Sequence, residues 1–307
     1  MRIVFCGTAH FAVPSLRALV PEHEVVAVVT QPDRSGSRGR PAPRPVGETA
    51  EQIGLPVLRP ERIRAPECVA EILHLAPDAL VVAAYGQIIP AALLTAPLYG
   101  GVNVHGSLLP RWRGAAPVAA AILAGDTRTG VSIMRMDAGL DTGPVYATGE
   151  TEIGADEAAP SLTGRLAAAG ARLLLEVLSG LEDGSVAAVA QDESQATYAP
   201  RLRREDGTIE WSSIGAIDLD RRVRGLQPWP GVTAPFGGQP VRLLDGAPAR
   251  STDEGAVPGE VLALSGEAAD VATMSGVYRL ARVQPAGRRP MTAAAYLRGR
   301  RVQPAPR

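Results

Sequence analysis

Lysine is absent from this 307-residue chain, so all 31 basic side chains are arginine. We read this as genome base composition rather than function, and it leaves anion recognition to arginine's planar, multi-donor fork. Cysteine is scarce: only Cys6 and Cys68, the first inside an apolar strand pattern. That argues against a disulfide framework or a zinc site and makes a reducing cytoplasm the expected compartment. No apolar run approaches the roughly 18 residues of a membrane span. The N-terminal Met1–Gly7 runs straight into a strand pattern without the features of a secretory signal. No G-x-G-x-x-G follows the first strand, and no acidic residue closes the second, which argues against a dinucleotide-binding dehydrogenase. With 46% hydrophobic residues and a mean hydropathy of +0.05, the chain has the balance of a globular protein of one large or two medium domains.

What is present is unevenly divided. Residues 1–200 carry 15 Arg against 21 acids, a balance of −6, whereas residues 201–307 carry 16 against 11, a balance of +5. A basic C-terminal part beneath a near-neutral total suggests that one half meets a polyanion.

In chain order, Arg2–Cys6, a helical pattern over Val13–Leu19 and an apolar run within His23–Thr30 predict a parallel βαβ unit. Gln31–Val46 has four Arg, four Pro and no periodicity. It reads as a long loop, either a solvated insertion or an anion-binding arm built on Arg34, Arg38, Arg40 and Arg44. Pro66–Leu75 reads as a helix. Ala79–Ala84 reads as a buried strand ending at Tyr85-Gly86, and the next strand leads into Asn103-Val-His105-Gly-Ser107-Leu108-Leu109-Pro110. Gly7-Thr8, Tyr85-Gly86 and Asn103–Ser107 would then share the carboxyl edge of one sheet, where open α/β sheets bind ligands.

Alternation in a strand puts Asn103 and His105 on one face. An amide beside an imidazole suits an electrophile clamp with a proton shuttle. The plainer alternative is a histidine satisfied by a loop carbonyl, with Asn103 capping the turn. Arg111-Trp112-Arg113-Gly114 forms a basic aromatic loop, followed by a helix over Ala115–Leu123. A strand at Val131–Met136 ends in Asp137-Ala-Gly-Leu-Asp141-Thr-Gly143, and another strand runs through Val145–Ala147. Apolar spacing predicts a helix from Ser161 to Gly180. Residues 190–207 read as a linker between a domain at 1–189 and one at 208–307. In the latter, Thr208–Trp211, Gln239–Leu244, Gly259–Leu264 and Gly276–Val283 read as short strands and Ile217–Arg224 as a helix. The expected fold is α/β: a Rossmann-like, mostly parallel sheet with helices on both faces, plus a smaller C-terminal β-barrel of OB-like type.

Asn103-x-His105-x-Ser-Leu-Leu-Pro110 with Asp141-x-Gly143-Pro144 downstream resembles the formyltransferases that use 10-formyltetrahydrofolate. Across the chain, Ala84-Tyr-Gly86, Arg111-Trp-Arg-Gly114, Thr197-Tyr-Ala and Pro228-Trp-Pro-Gly231 resemble the branch that acts on methionyl-tRNA. The resemblance implies formyl transfer from 10-formyltetrahydrofolate to the amino group of methionyl initiator tRNA, without a metal, by a cytoplasmic monomer with no membrane association. It implies a catalytic trio of Asn103, His105 and Asp141. It implies folate contacts from Ser107, Leu108, Leu109 and Pro110 and around Tyr85, Gly86, Gln87 and Ile88, and tRNA contacts from the arginine loop, from Arg201 and from the basic C-terminal domain. Formyl transfer to a small amine, or tRNA binding without catalysis, are the alternatives. The chain departs from the family pattern at Ala9-His10, where Gly-Thr-Pro is usual, and at Arg201, where lysine is usual. The loop after the second strand also has Arg and Pro where lysine is common and is a residue shorter. The Leu109–Pro110 bond is expected to be cis, to turn the loop sharply.

Overall fold

The computed structural model describes residues 1–32, 44–250 and 256–300. They divide into two compact units. One comprises Met1–Pro117, Arg128–Glu152 and Leu162–Pro200; the other comprises Val118–Thr127, Ile153–Ser161 and the chain from Arg201 onward.

The elements of the first part of the chain are β1 (Arg2–Gly7), α1 (Val13–Glu22), β2 (Glu24–Val29), α2 (Pro45–Gln52), β3 (Val57–Leu58), α3 (Pro66–His74), β4 (Ala79–Ala83), α4 (Ala91–Thr95), β5 (Gly101–His105), β6 (Arg113–Gly114), α5 (Pro117–Ala124), β7 (Arg128–Arg135), β8 (Val145–Glu152), α6 (Ala159–Asp183) and β9 (Tyr198–Ala199). One seven-stranded sheet has the order β3-β2-β1-β4-β5-β7-β8. It is parallel from β3 to β5, and β7 and β8 close it antiparallel. The expected mostly parallel α/β sheet is thus present; the parallel strands β1, β2 and β4 are mostly apolar and buried because both faces are covered, whereas the antiparallel β8 is polar and half-exposed. In β1, Ile3 and Phe5 join a core with α1, α2 and α6, while Val4 and Cys6 join an opposite core with α3 and α4.

The strand order reverses between β1 and β4, which leaves a crevice beyond their carboxyl ends. The Thr8 hydroxyl donates to the Tyr85 carbonyl there (2.9 Å). Below β5, α6 approaches closely at Gly170: a Cβ at that position would lie 2.8 Å from Val104 Cγ1 and 3.0 Å from Val131 Cγ2.

Several boundaries differ from expectation. α2 begins at Pro45, inside the stretch read as loop; Arg34, Arg38 and Arg40 lie outside the described residues. α6 overruns both of its sequence signals. The Ser161 hydroxyl donates back to Glu157 Oε1 (3.1 Å) instead of starting the helix, and Gly180 lies within it. Residues 191–200, in the stretch read as linker, belong to the first unit, where β9 pairs with β6.

In the second unit, α7 (Ala216–Gly225) and α8 (Ala293–Arg300) accompany β10 (Val232–Phe236), β11 (Gln239–Arg250), β12 (Val261–Ser265), β13 (Ala268–Ala272), β14 (Val277–Pro285) and β15 (Met291–Thr292). The strands form an antiparallel sheet of order β10-β11-β14-β13-β12, with β15 paired to β14. The strand expected at Thr208–Trp211 is not formed. Thr208 makes one isolated bridge to Thr233, and Trp211 opens a 3-10 turn, buried, with its indole N–H on the Pro235 carbonyl (2.6 Å). A buried tryptophan with its indole N–H satisfied overrides the alternation around it. Among the described residues, no helix is long and apolar enough to cross a membrane.

Because α6 rests on β5 and β7 through Gly170, Gly170→Leu overpacks the core. It should lower unfolding stability by about 1–3 kcal/mol, read as a fall in the urea midpoint at unchanged m-value.

Candidate active site

β5 ends at the carboxyl edge of the sheet with two buried polar residues, Asn103 (8% exposed) and His105 (6% exposed). β5 is flanked by β4, where Val82 pairs with Asn103, and by β7, where Met134 faces Asn103 and Ser132 faces His105. With a neighbour on each side, the backbone holds both side chains firmly on one face. The His105 Nε2 lies 2.9 Å from the Trp112 carbonyl. A carbonyl only accepts, so Nε2 carries the proton and Nδ1 is the nitrogen that this bond leaves free. Nδ1 in turn sits 3.7 Å from Asp141 Oδ2. That is longer than a direct hydrogen bond but sets a carboxylate oxygen beside the ring. In one ring, then, one nitrogen is satisfied by a loop carbonyl, as the plainer reading expects, and the other faces an acid distant in sequence. Among the described residues, no protein group takes up the Asn103 amide.

The loop after β5 is held by its own backbone and by Ser132. The Ser107 hydroxyl donates to the Arg111 carbonyl (2.6 Å). Ser132 Oγ donates to the Ser107 carbonyl (2.7 Å) and accepts from the Leu109 N–H (3.0 Å). Leu109–Pro110 is cis, as expected. Leu108 is half-buried and lies over Gly130, where an added Cβ would come within 2.4 Å of its Cδ2. Ser107 and Leu109 thus serve the loop's shape.

At the end of β4, Tyr85 is buried, and its carbonyl accepts from Thr8 Oγ1 (2.9 Å) and Gln31 Nε2 (3.0 Å). Burial pushes its phenol well above the usual tyrosine range. Gly86 has φ +84°, and a Cβ there would lie 2.6 Å from Gln31 Nε2. The Gln87 side chain is occupied structurally: Oε1 accepts from the Ile63 N–H (2.9 Å), and Nε2 donates to the Pro60 carbonyl (3.2 Å). Ile88 is 86% exposed, an apolar surface presented at the sheet edge. Arg44 precedes α2 with Nε 3.8 Å from Glu48 Oε1, and Arg201 is exposed at the start of the second unit.

Three of the four non-glycine residues with positive φ among the described residues border this edge: Ala84 (43°), Trp112 (60°) and Asp141 (53°). Such backbone costs energy and persists where surrounding contacts hold it. It carries no sequence signal at an Ala or a Trp. Ser132 and Gln31 were likewise not anticipated, although a serine in the middle of the buried stretch 129–134 of β7 is itself a signal that a buried partner needs it. Among the described residues, no group of three or more His, Cys, Asp or Glu is arranged to hold a metal ion.

Comparison with known proteins identifies the family. Residues 1–178 match the profile "Formyl transferase", and residues 201–301 match "Formyl transferase, C-terminal domain". The methionyl-tRNA formyltransferase of Solibacter usitatus is 46% identical over 98% of this chain and 96% of its own length. That of Xanthomonas campestris pv. campestris is 48% identical over 99% of both. Among solved structures, HypX from Aquifex aeolicus in complex with tetrahydrofolic acid is similar with a TM-score of 0.67 over 100% of this chain, at 20% identity. The chain spans about half of that protein, 49%, and the likeness is one of fold.

Ser132 holds two buried backbone groups of the Ser107–Pro110 loop, so Ser132→Ala leaves both without a partner. Chemical denaturation should register a loss of about 1–3 kcal/mol, whereas a solvated serine would cost almost nothing.

Proposed function

The chain belongs to the formyl transferase family, among its methionyl-tRNA formyltransferases, and on that premise we propose that it is an enzyme that moves a formyl group from 10-formyltetrahydrofolate to the α-amino group of methionyl initiator tRNA. The product, formylmethionyl-tRNA, serves translation initiation, and the cytoplasm is the compartment this requires. The observation that carries the site assignment is His105, with Nε2 tied to the Trp112 carbonyl and Nδ1 3.7 Å from Asp141.

Formyl transfer to an amine passes through a tetrahedral carbon bearing an oxyanion. The attacking nitrogen forms the new C–N bond and loses a proton; the folate nitrogen gains a proton as the old C–N bond breaks. In this reading the Asn103 amide and the His105 imidazolium donate to the oxyanion. Asp141 orients the imidazole and helps carry the proton from the attacking to the leaving nitrogen. No covalent enzyme intermediate is needed. Backbone groups of Ser107–Pro110 and of Tyr85–Ile88 hold the folate. The exposed apolar Ile88 beside backbone carbonyls and N–H groups suits a flat heteroaromatic ring.

The tRNA would be gripped by Arg34, Arg38, Arg40 and Arg44, by Arg201, and by the basic surface of residues 208–307, while residues 1–189 supply the chemistry. A balance of +5 over residues 201–307 supports a polyanionic substrate over a small amine. We read the enzyme as a monomer.

Two outcomes test this. His105→Ala and Asn103→Ala should each lower kcat by about 10²–10³ with substrate binding largely kept; near-native turnover of His105→Ala would remove the assignment. Replacing Arg38, Arg40 and Arg44 together should weaken tRNA binding and flatten its dependence on salt, and an unchanged salt slope would rule out the arginine loop as the phosphate grip. Offering methionyl initiator tRNA, free methionine or glycinamide ribonucleotide as acceptor identifies the amine directly.

A further inference from the structure

Asp141 sits in a poor place to be held. It ends a solvent-exposed loop that includes Asp137 and the 62%-exposed Leu140, so apolar burial does little to fix it. Its φ of +53° is one that an aspartate leaves readily unless restrained. Yet its carboxylate must accept from the Gly114 N–H (2.8 Å) while staying beside His105.

The restraint comes from Gln191. Its Nε2 donates to the Asp141 carbonyl (2.8 Å) and to the Gly143 carbonyl (2.7 Å), spanning the turn. Its Oε1 accepts from Arg113 Nε (3.1 Å) and Nη2 (2.8 Å). The amide's orientation is unambiguous: flipped, it would set NH2 against a guanidinium and oxygen against two carbonyls. Arg113 is fully buried, and its other edge meets Glu193 in two parallel bonds, Nη1 to Oε2 (2.8 Å) and Nη2 to Oε1 (2.7 Å). Bonding to Arg113 holds the Glu193 carboxyl below the usual glutamate range, so the chain of groups stays charged at neutral pH. Each group fixes the next, from carboxylate to guanidinium, amide and backbone.

We propose that Gln191 is a positioning residue for formyl transfer, acting on the reaction only through Asp141 by holding its backbone in the left-handed conformation that aims the carboxylate between the Gly114 N–H and His105 Nδ1. This rests on the formyl-transfer reading of the site. Neither Gln191 nor Arg113 touches the reacting atoms.

The test is Gln191→Glu, which keeps the side chain's size and its bonds to Arg113 but replaces the NH2 donor with an acceptor that faces two carbonyls. Two measurements are made on the full chain. The first is hydrogen exchange at the Gly114 amide, whose partner is Asp141 Oδ2. The Arg113 and Ala115 amides, bonded to the Thr197 and Ala199 carbonyls (both 2.9 Å), serve as internal references. Gly114 should exchange at least about tenfold faster with the references unchanged. The second is steady-state formylation of methionyl initiator tRNA. kcat should fall about 10–100-fold, with KM for both substrates within about threefold of native. In an Asp141→Asn background, the same change should cost no more than about a further twofold.

Unchanged exchange at Gly114, exchange accelerated equally at all three amides, a rise in KM at constant kcat, or the same fold-loss in both backgrounds would each overturn the proposal. Should Gln191→Glu not fold, Gln191→Met, of similar length and lacking donors, takes its place under the same criteria. The exchange measurement needs no substrate. If the native protein formylated nothing, the functional reading would fall while the hold of Gln191 on Asp141 was still decided.

Discussion

One hydrogen bond governs the site, that from His105 Nε2–H to the Trp112 carbonyl. Burial forbids an unsatisfied imidazole, and a carbonyl can be only an acceptor, so this bond decides which nitrogen holds the proton and which way the ring faces. It places a demand on the chain in return. Trp112 must present its carbonyl inward, and does so from a left-handed backbone, with its N–H on Thr197 Oγ1 (2.9 Å). The Ser107–Pro110 loop must turn back sharply, and Ser132 clamps it from the neighbouring strand. Conformation, tautomer and loop shape are one linked requirement.

The scaffold meets that requirement because it is rigid where the site is built. β5 is hydrogen-bonded on both sides and buried on both faces, so its last residues cannot drift. Parallel strands that bury both faces have no room for polar side chains along their length. Their polar residues gather at the carboxyl ends, where neighbouring turns can satisfy them. Asn103 is a poor strand former in such a place, and it sits near the end of β5, at the carboxyl edge of the sheet. Close packing of α6 against Val104 and Val131 fixes the strand from beneath. Fold and chemistry are coupled through one backbone.

Legibility varied with how local the governing forces are. Arg2–Gly7, Glu24–Val29 and Ala79–Ala83 were readable because continuous apolar runs leave few alternatives. Val232–Phe236 was not, since Pro235 argues against a strand, and it proves to be an edge strand where a missing N–H is tolerated. Ala268–Ala272 was too alanine-rich to signal, and β11 runs on through Asp245, Gly246 and Pro248 by irregular pairing with β14. At the site, the Asn103/His105 pair follows from two-residue spacing on a terminating strand. Asp141 was identified through resemblance alone, because two acids among glycines between strands look the same whether they cap a turn or face a histidine. Gln191 stood in a polar stretch with no periodicity, where nothing local marks a side chain whose partners are remote.

Taken alone, the amino-acid sequence determined that a parallel sheet would form, that an amide and an imidazole would share a face at its edge, and that a basic domain would follow. These depend on alternation, periodicity and composition, which act within a few residues. Only the tertiary structure decided which imidazole nitrogen is free, that Asp141 lies beside it, and that Arg113, Gln191 and Glu193 hold it there. Those facts depend on segments far apart in the chain closing on one another, and a hydrogen bond's geometry exists only once both of its partners have been placed.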